Sequence, residues 1–126
     1  MTNDPISDLL ILLQNASRVG KTQVGVSNSR IKSAVAKILE KEGYLAGVSK
    51  KNNTLTLSLS YKNGRASISG VKRISKLSRR TYLGVRDLHS VKRGHGVLVL
   101  STSAGVMTGK EAKQKRVGGE ALFEIW

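Results

Sequence analysis

Cysteine is absent from this chain of 126 residues, and so are long apolar runs. Without cysteine there can be no disulfide framework, no thiolate nucleophile and no zinc site with cysteine ligands. No segment approaches the roughly 20 consecutive apolar residues that cross a bilayer, and Met1–Pro5 lacks the charged and then apolar layout of a signal peptide. We therefore expect a cytosolic protein that is stabilised by packing and has no membrane partner.

Acidic residues are scarce as well. Only 8 Asp and Glu stand against 22 Lys and Arg, which gives a formal net charge of +14. Such an imbalance destabilises the compact state through self-repulsion unless a polyanion neutralises it, so a nucleic acid is the expected partner. A merely soluble basic surface and an anionic membrane face are the alternatives, although a basic amphipathic helix usually marks the second.

The residues that enzymes use are few and scattered. His89 and His95 lie beside the basic segment, with no carboxylate at a recognisable spacing. Gly105–Lys110 has three residues between its glycines and Glu111 after its lysine, which excludes a Walker phosphate loop. Gly94–Gly96 lacks the third glycine of a dinucleotide fingerprint. We expect no enzymatic activity, no cofactor and no metal site.

The first third of the chain alternates between helical and strand patterns. Asp4 before Pro5 indicates a helix cap and a first helical residue, and apolar residues then recur at helical spacing. A short strand is predicted from Gln23 to Val26. A second helix should follow, capped by Ser27 or Ser29, with its apolar residues on one face.

Thr54–Tyr61 alternates strictly, with three leucines and Tyr61 on one face and threonine or serine on the other, as in a half-buried strand. Asn63-Gly64 favours the positive φ angles of a tight hairpin, so Arg65–Ser69 is predicted to return antiparallel to this strand. The polar run Lys50–Asn53 is predicted to be a turn. Residues 1–70 should therefore form an α-β-α-β-β unit.

A basic stretch with a single acid, Asp87, then marks the predicted junction between two units. Its cations are Lys72, Arg73, Lys76, Arg79, Arg80, Arg86, Lys92 and Arg93. Strands are predicted at Val97–Leu100 and Ala121–Trp126, and a short helix at Thr108–Arg116. The expected fold class is therefore α+β, with two small units: residues 1–70, and a mostly β unit over residues 71–126.

Ser101–Gly109 is a run of small, hydroxyl-rich residues directly after a predicted strand. Hydroxyl groups donate and accept hydrogen bonds, so a row of them can read base edges, ribose 2′-hydroxyls and phosphates, while Gly105 allows close backbone approach. The alternative is an ordinary strand-to-helix turn in which Thr108 and Glu111 form a capping box. Both can hold, because the box would begin after the other hydroxyl residues.

Aromatic residues are few: one Trp, one Phe and three Tyr. Modules that bind unstructured strands stack bases on exposed aromatic rings. Because the helix and strand patterns assign most of these five rings to packing, a folded RNA is favoured over a single strand. Tyr82, flanked by arginines, is the one aromatic expected to reach nucleic acid, with a role in the core as the alternative.

The closing stretch GHGVLVLSTSAGVMTGKEAKQKRVGGEALFEIW, Gly94–Trp126, closely resembles the bacterial form of the small-subunit ribosomal protein S8 family. Shorter words at Asp4–Asp8, Ser29–Lys32 and Arg73–Lys76 extend the likeness over the whole chain. The resemblance implies a two-domain protein of the cytoplasmic ribosome that binds the central domain of small-subunit ribosomal RNA early in assembly. Neighbouring small-subunit proteins and the protein's own messenger RNA are further partners that it implies.

The resemblance also implies RNA contacts. They fall at the S-T-S-x-G loop and the G-G-E turn: Ser101, Thr102, Ser103, Gly105, Gly118, Gly119 and Glu120. For Glu120, a hydrogen bond that braces the loop is the alternative to a base contact. The charge pattern adds phosphate contacts, mainly independent of sequence, at Lys72, Arg73, Lys76, Arg79, Arg80, Lys92 and Arg93, and a second patch at Arg30, Lys32 and Lys37.

The chain departs from the family pattern at three places. Ala104 replaces a common lysine, which removes a phosphate contact, and Gly109 replaces a common aspartate, a helix cap that Thr108 can supply instead. Leu77-Ser78 stands where Pro-Gly often occurs. Two rival functions remain: a basic nucleoid-type nucleic-acid-binding protein, and a small RNA-modifying enzyme.

Overall fold

The computed structural model describes residues 4–76, 78–91 and 94–126, so the expectations for Leu77, Lys92 and Arg93 lie outside the described residues. Over the described residues the chain forms three α-helices, one 3₁₀ helix and ten strands, paired antiparallel in three sheets. It divides into two compact units, Pro5–Ser69 and Gly70–Trp126, the second of which includes Asp4. The predicted α+β class is confirmed.

Two helices cover much of the Pro5–Ser69 unit. Helix α1 spans Pro5–Arg18 and buries one face rich in leucine. Helix α2 spans Arg30–Lys41, and of the two serines considered as its cap, Ser29 is the N-cap, with its hydroxyl accepting from the Lys32 amide at 3.2 Å. A hydroxyl cap satisfies one of the free amides of the first turn, so the helix begins here.

The sheet of this unit has the strand order β1-β3-β2, with β1 at Gln23–Ser27, β2 at Leu45–Lys51 and β3 at Thr54–Leu59. The leucines of β3 are buried, as its alternation predicts. The partner predicted for this strand, Arg65–Ser69, is wrong, because β1 and β2 flank it instead. Most of β2 is exposed or half-buried, so its sequence carries little strand periodicity.

The Asn63-Gly64 hairpin is present, but its strands are shorter than predicted. It joins β4, Tyr61–Lys62, to β5, Arg65–Ala66, as a separate two-stranded sheet. Both turn residues have positive φ angles, 52° at Asn63 and 76° at Gly64, as this turn type requires. The predicted turn is therefore correct, and the predicted length of its strands is not.

The second unit is built on one five-stranded sheet, in the order β6-β10-β8-β9, with β7 also paired to β10. Its strands are β6 (Val71–Arg73), β7 (Tyr82–Leu83), β8 (Val97–Thr102), β9 (Gly105–Thr108) and β10 (Gly119–Ile125), with a 3₁₀ helix at Val85–Asp87 and α3 at Gly109–Gln114. Strands β8 and β10 were both predicted, with bounds that differ by one or two residues. The other three were missed, because two to four residues are too few to show a period.

One long strand organises this sheet. Strand β10 pairs with β8 along one edge, while β7 and β6 pair with successive parts of its other edge. The chain between β6 and β7 must therefore leave the sheet and return to the same strand. Underneath, a core that includes Leu98, Leu100, Met107 and Ala121 holds the sheet and α3 together. This core therefore holds the strand ends near Glu120 in defined positions.

Candidate nucleic-acid interface

The hydroxyl-rich segment forms a β-hairpin. Thr102 pairs with Gly105 across the two strands, which leaves Ser103 and Ala104 as a two-residue turn. The Thr102 hydroxyl donates to the Gly105 carbonyl oxygen at 2.8 Å and accepts from the Ala104 amide at 3.1 Å. Gly105 has a φ of 114°, in the region that favours glycine. The hairpin is therefore fixed by its own side chain and backbone.

The helix that follows the hairpin begins as predicted. Thr108 is the N-cap of α3 and forms a capping box with Glu111: the Thr108 hydroxyl accepts from the Glu111 amide at 3.2 Å, and the Glu111 carboxylate faces the Thr108 amide. Strand β9 lies between the turn and this cap, so the segment is not the direct strand-to-helix turn that we considered. Gly109 is the first residue of the helix, with Thr108 in the capping position.

Three residues that are distant in sequence form a row across the sheet. Glu120 on β10 lies opposite Ser101 on β8 and opposite Tyr82 on β7. Residues directly opposite each other in antiparallel strands share a face, with Cβ atoms about 4.5–5.5 Å apart. We call Ser101, Glu120 and Tyr82 the polar row. Tyr82 is 70% exposed, so its alternative role in the core is wrong.

Contacts within the protein explain why Gly118 and Gly119 must be glycine. A Cβ atom on Gly119 would overlap the carbonyl oxygen of Ser101, and one on Gly118 would overlap the carbonyl oxygen of Leu83. Both glycines therefore allow β7 and β8 to approach β10 at the polar row. Whether RNA also approaches them closely stays a prediction.

Glu120 is held by an ion pair. Its carboxylate oxygen Oε2 lies 3.1 Å from Nη1 of Arg80, and the two side chains are 18% and 45% exposed. An ion pair this exposed contributes little to stability, but it sets the direction of both side chains. The ion pair joins Glu120 to Arg80, and both roles considered for Glu120, a bond that braces the S-T-S-x-G loop and a direct base contact, stay predictions.

The cations predicted to contact phosphate lie on different elements and differ in exposure. Lys76, Ser78, Arg79 and Arg80 lie between Ser75 and Thr81, and we call these four residues the basic loop; all four are exposed. Lys76 and Arg79 exchange two backbone hydrogen bonds, of 2.9 and 3.0 Å, which closes the loop on itself. Lys72 is exposed on β6, opposite Glu124.

Arg73 differs from Lys72 and from the cations of the basic loop. Its Nε lies 3.2 Å from Oδ2 of Asp4, its Nη1 donates to the Leu122 carbonyl oxygen, and its side chain is only 11% exposed. The guanidinium thus already has partners within the unit. We therefore expect Arg73 to stabilise the unit and to contribute least of these cations to binding.

Arg30 and Lys32 lie in the other unit, in the first turn of α2. Arg30 is exposed. The Lys32 amino group donates to the carbonyl oxygen and the hydroxyl of Ser27, at 3.3 and 3.2 Å, and so joins the end of β1 to the helix. These cations form a patch on a different unit from the polar row.

His89 has a carboxylate partner that sequence spacing did not reveal. Its Nε2 lies 2.9 Å from Oε2 of Glu124, 35 residues later, and its Nδ1 lies 3.3 Å from the carbonyl oxygen of Asp87. The hydrogen bond to Glu124 is the main reason that the pKa of His89 is raised above its ordinary value. This is an isolated pair: within residues 4–76, 78–91 and 94–126, no three His, Cys, Asp or Glu residues converge as metal ligands.

Two small units with a basic loop and a hydrogen-bonding row on one sheet are typical of the class of small basic proteins that bind nucleic acid. The comparison with protein families narrows the class. The model of the family "Ribosomal protein S8" matches residues 4–126, and the chain belongs to this family.

Three relatives illustrate the match; each is named small ribosomal subunit protein uS8. The proteins from Nitratidesulfovibrio vulgaris strain Miyazaki F, Fervidobacterium nodosum and Persephonella marina are 44%, 41% and 38% identical, over the full length of both chains. The chain is thus a small-subunit ribosomal protein, located in the cytoplasmic ribosome, and not an enzyme. None of the described helices is both long and apolar enough to span a membrane.

Proposed function

We propose that the chain binds the central domain of small-subunit ribosomal RNA directly and supports assembly of the subunit. The observation that carries the proposal is the polar row, in which a hydroxyl, a carboxylate and an exposed phenol stand side by side. A carboxylate accepts hydrogen bonds from base amino groups, and hydroxyls can pair with 2′-hydroxyls, phosphates and base edges. The family of the chain supports the same conclusion.

The hairpin next to the row supplies further contacts in this proposal. Ser103 is exposed at the tip, whereas Ser101 and Thr102 are half-buried. Because the Thr102 hydroxyl already bonds Gly105 and Ala104, its main task is to shape the turn that presents Ser103. Gly105 is exposed beside this turn and leaves room for a nucleic-acid backbone.

Affinity and specificity are divided between two sets of residues in this proposal. The exposed cations neutralise phosphates and supply binding that depends on salt rather than on sequence. They are Lys76, Arg79 and Arg80 in the basic loop, Lys72 on β6 and Arg30 on the other unit, and the half-buried Lys32 of that unit adds to this set. The hydroxyls of the hairpin and the polar row fix the register on the RNA.

Two further partners belong to the proposal. Neighbouring small-subunit proteins would contact the chain within the assembled subunit. The protein's own messenger RNA would compete for the polar row if it folds into a similar shape. A competition experiment tests the second point: the messenger should displace the ribosomal fragment, and Ser103→Ala should weaken both complexes.

A filter-binding comparison tests the main proposal. The full chain is titrated with a fragment of the small-subunit central domain, with a large-subunit ribosomal RNA fragment of equal length and with duplex DNA of equal charge. We expect the central-domain fragment to bind at least about 1,000-fold more tightly than either competitor, since site-specific recognition commonly exceeds nonspecific binding by this factor or more. Equal affinities would favour a nucleoid-type protein and contradict the proposal.

A further inference from the structure

Ser75, just before the basic loop, is completely buried. Ser75 and Thr108 are the two buried polar residues among those the structure describes, and Thr108 is the cap of α3. A hydroxyl removed from water is destabilising unless it finds hydrogen-bond partners. The partners of Ser75 therefore indicate its task.

The hydrogen bonds that the structure describes for Ser75 join it to Thr81, at the other end of the basic loop, and to β10. Its Oγ accepts from the Thr81 amide at 2.8 Å and donates to the Thr81 carbonyl oxygen at 3.2 Å. Its amide donates to the Ala121 carbonyl oxygen at 3.0 Å, and the Ala121 amide donates to the Thr81 carbonyl oxygen at 2.9 Å. Ser75, Thr81 and Ala121 thus form a closed set of bonds, which we call the clamp.

The residues on either side of Thr81 belong to the candidate interface. Arg80 precedes it and forms the ion pair with Glu120, and Tyr82 follows it and lies opposite Glu120 in the sheet. We propose that Ser75 is a positioning residue for RNA binding: its buried hydroxyl holds Thr81 in place, and so sets Arg80 and Tyr82 beside Glu120. This inference rests on the proposed function.

A hydroxyl suits this place because it can donate one hydrogen bond and accept others at the same time. An alanine fits the space, but it leaves the Thr81 amide without its Oγ partner. The basic loop is exposed and its own backbone contributes the two bonds between Lys76 and Arg79. Segments with few buried contacts open locally, so without the Ser75 hydroxyl the loop should open more often.

The first test measures the free protein. Ser75→Ala should speed hydrogen exchange at the Thr81 amide by about tenfold or more, because this part-buried amide loses its Oγ partner and the closed loop is destabilised. Trypsin should cut after Arg79 and Arg80 sooner than in the unmutated chain. Ser90→Ala, which removes an exposed hydroxyl of the same unit, is the matched control and should change neither rate.

The second test measures RNA binding by the full chain. Ser75→Ala should weaken binding to the central-domain fragment by about tenfold, because apparent affinity falls with the fraction of chains whose loop is closed. Arg80→Ala should weaken binding in the unmutated chain and much less in the Ser75→Ala background, since residues that act through one clamp are not additive. A merely structural role would leave the effect of Arg80→Ala the same in both backgrounds.

Ser75→Cys is a second variant, in case the alanine variant does not fold, because sulfur keeps weak donor and acceptor ability. Its rate of exchange at Thr81, its rate of cleavage by trypsin and its RNA affinity should lie between those of the unmutated chain and of Ser75→Ala. Unchanged exchange at Thr81, or equal effects of Arg80→Ala in both backgrounds, would overturn the positioning role. If the unmutated chain shows no preference for the central-domain fragment, the proposed function is wrong. The positioning role for RNA binding is then wrong as well, even if hydrogen exchange shows that the clamp is intact.

Discussion

Ser101, Thr102 and Ser103 are three adjacent hydroxyl residues with three different surroundings. Ser101 faces Glu120 in the polar row, Thr102 bonds to its own hairpin, and Ser103 is exposed in the turn. A hydroxyl that already has internal partners has less capacity to bind RNA than an exposed one. The expected effect of a substitution on RNA binding therefore differs at each of the three positions.

Ser103→Ala should weaken binding to the central-domain RNA by about 1–3 kcal/mol, since an RNA group that Ser103 pairs would be left buried without a partner. The slope of log affinity against log salt should stay nearly unchanged, because no phosphate contact is lost. Filter binding at several salt concentrations measures both quantities.

Arg79→Ala is the matched contrast to Ser103→Ala. It should reduce the salt slope by about one unit with little loss of preference for the central-domain RNA, as expected for one lost phosphate contact. If the two variants behave alike, the proposed division between specificity and affinity is incorrect.

Gly119→Ala should destabilise the second unit by about 1–3 kcal/mol, the range typical of an overpacked site. The added methyl group would overlap the Ser101 carbonyl oxygen, so β8 and β10 would have to separate. Gly84→Ala is the control: its Cβ would meet Asp87 Oδ2 at 3.6 Å, an ordinary contact. Denaturant unfolding measures both variants, and equal stabilities would contradict the close approach at Gly119.

At the scale of elements, the short strands β6 and β7 matter most for the site. They have three and two residues, and both depend on pairing with β10. Neither length can produce a detectable period, so tertiary contact alone decides that these segments are strands. The sequence did reveal the chemistry of Tyr82 and the arginines, but not that Tyr82 would lie beside Glu120.

The segment that includes the 3₁₀ helix is joined to β10 by His89 and Glu124. The Glu124 hydrogen bond is the largest cause of the raised pKa of His89, helped by the Asp87 carbonyl group and opposed by burial and by Lys72. Because the pKa of His89 is higher in the folded state, its contribution to stability is fully present below the ordinary pKa of 6.5. It is lost as pH rises through the raised value.

His89→Gln should therefore reduce the free energy of unfolding more at pH 6 than at pH 8, by less than about 1 kcal/mol, since the His89 side chain is half exposed. Unfolding by urea at both pH values measures the difference. Asp8→Asn, at an exposed carboxylate of the other unit, should give a profile parallel to that of the unmutated chain over this range. A His89→Gln effect that is larger at pH 8 would contradict the stated sign.

At the scale of the whole molecule, the positive charge is shared evenly. Pro5–Ser69 has ten Lys and Arg against three Asp and Glu, and the rest of the chain has twelve against five, so each part carries a formal +7. Charge of this size opposes folding by self-repulsion unless salt or RNA screens it. Under the proposed function, neutralisation by RNA would therefore stabilise each unit.

The melting temperature of the free chain should accordingly rise when NaCl is increased from about 10 mM to about 150 mM, where the Debye length falls from about 30 Å to about 8 Å. Circular dichroism on heating measures it. A variant with Lys37→Glu and Lys41→Glu, both on α2, should show a smaller rise because its net charge is lower. An unmutated chain that melts at the same temperature at both salt concentrations would contradict the role of self-repulsion.

The sequence by itself determined the α+β class, the two main helices, the alternating strand β3, the capping box at Thr108 and the excess of positive charge. These features depend on local periodicity, on caps three residues apart or on composition, all of which are visible along the chain. The closing stretch was also enough to indicate the family, which the family comparison confirmed.

Only the tertiary structure decided which residues meet. The polar row joins positions 82, 101 and 120 through strand pairing, and Ser75 bonds Thr81 and Ala121 across a loop and a strand. A lone serine carries no sequence signal of burial, and short strands carry no period. Contacts between distant parts of a chain are set by packing and register, so the sequence could name candidate RNA contacts but not which of them lie side by side.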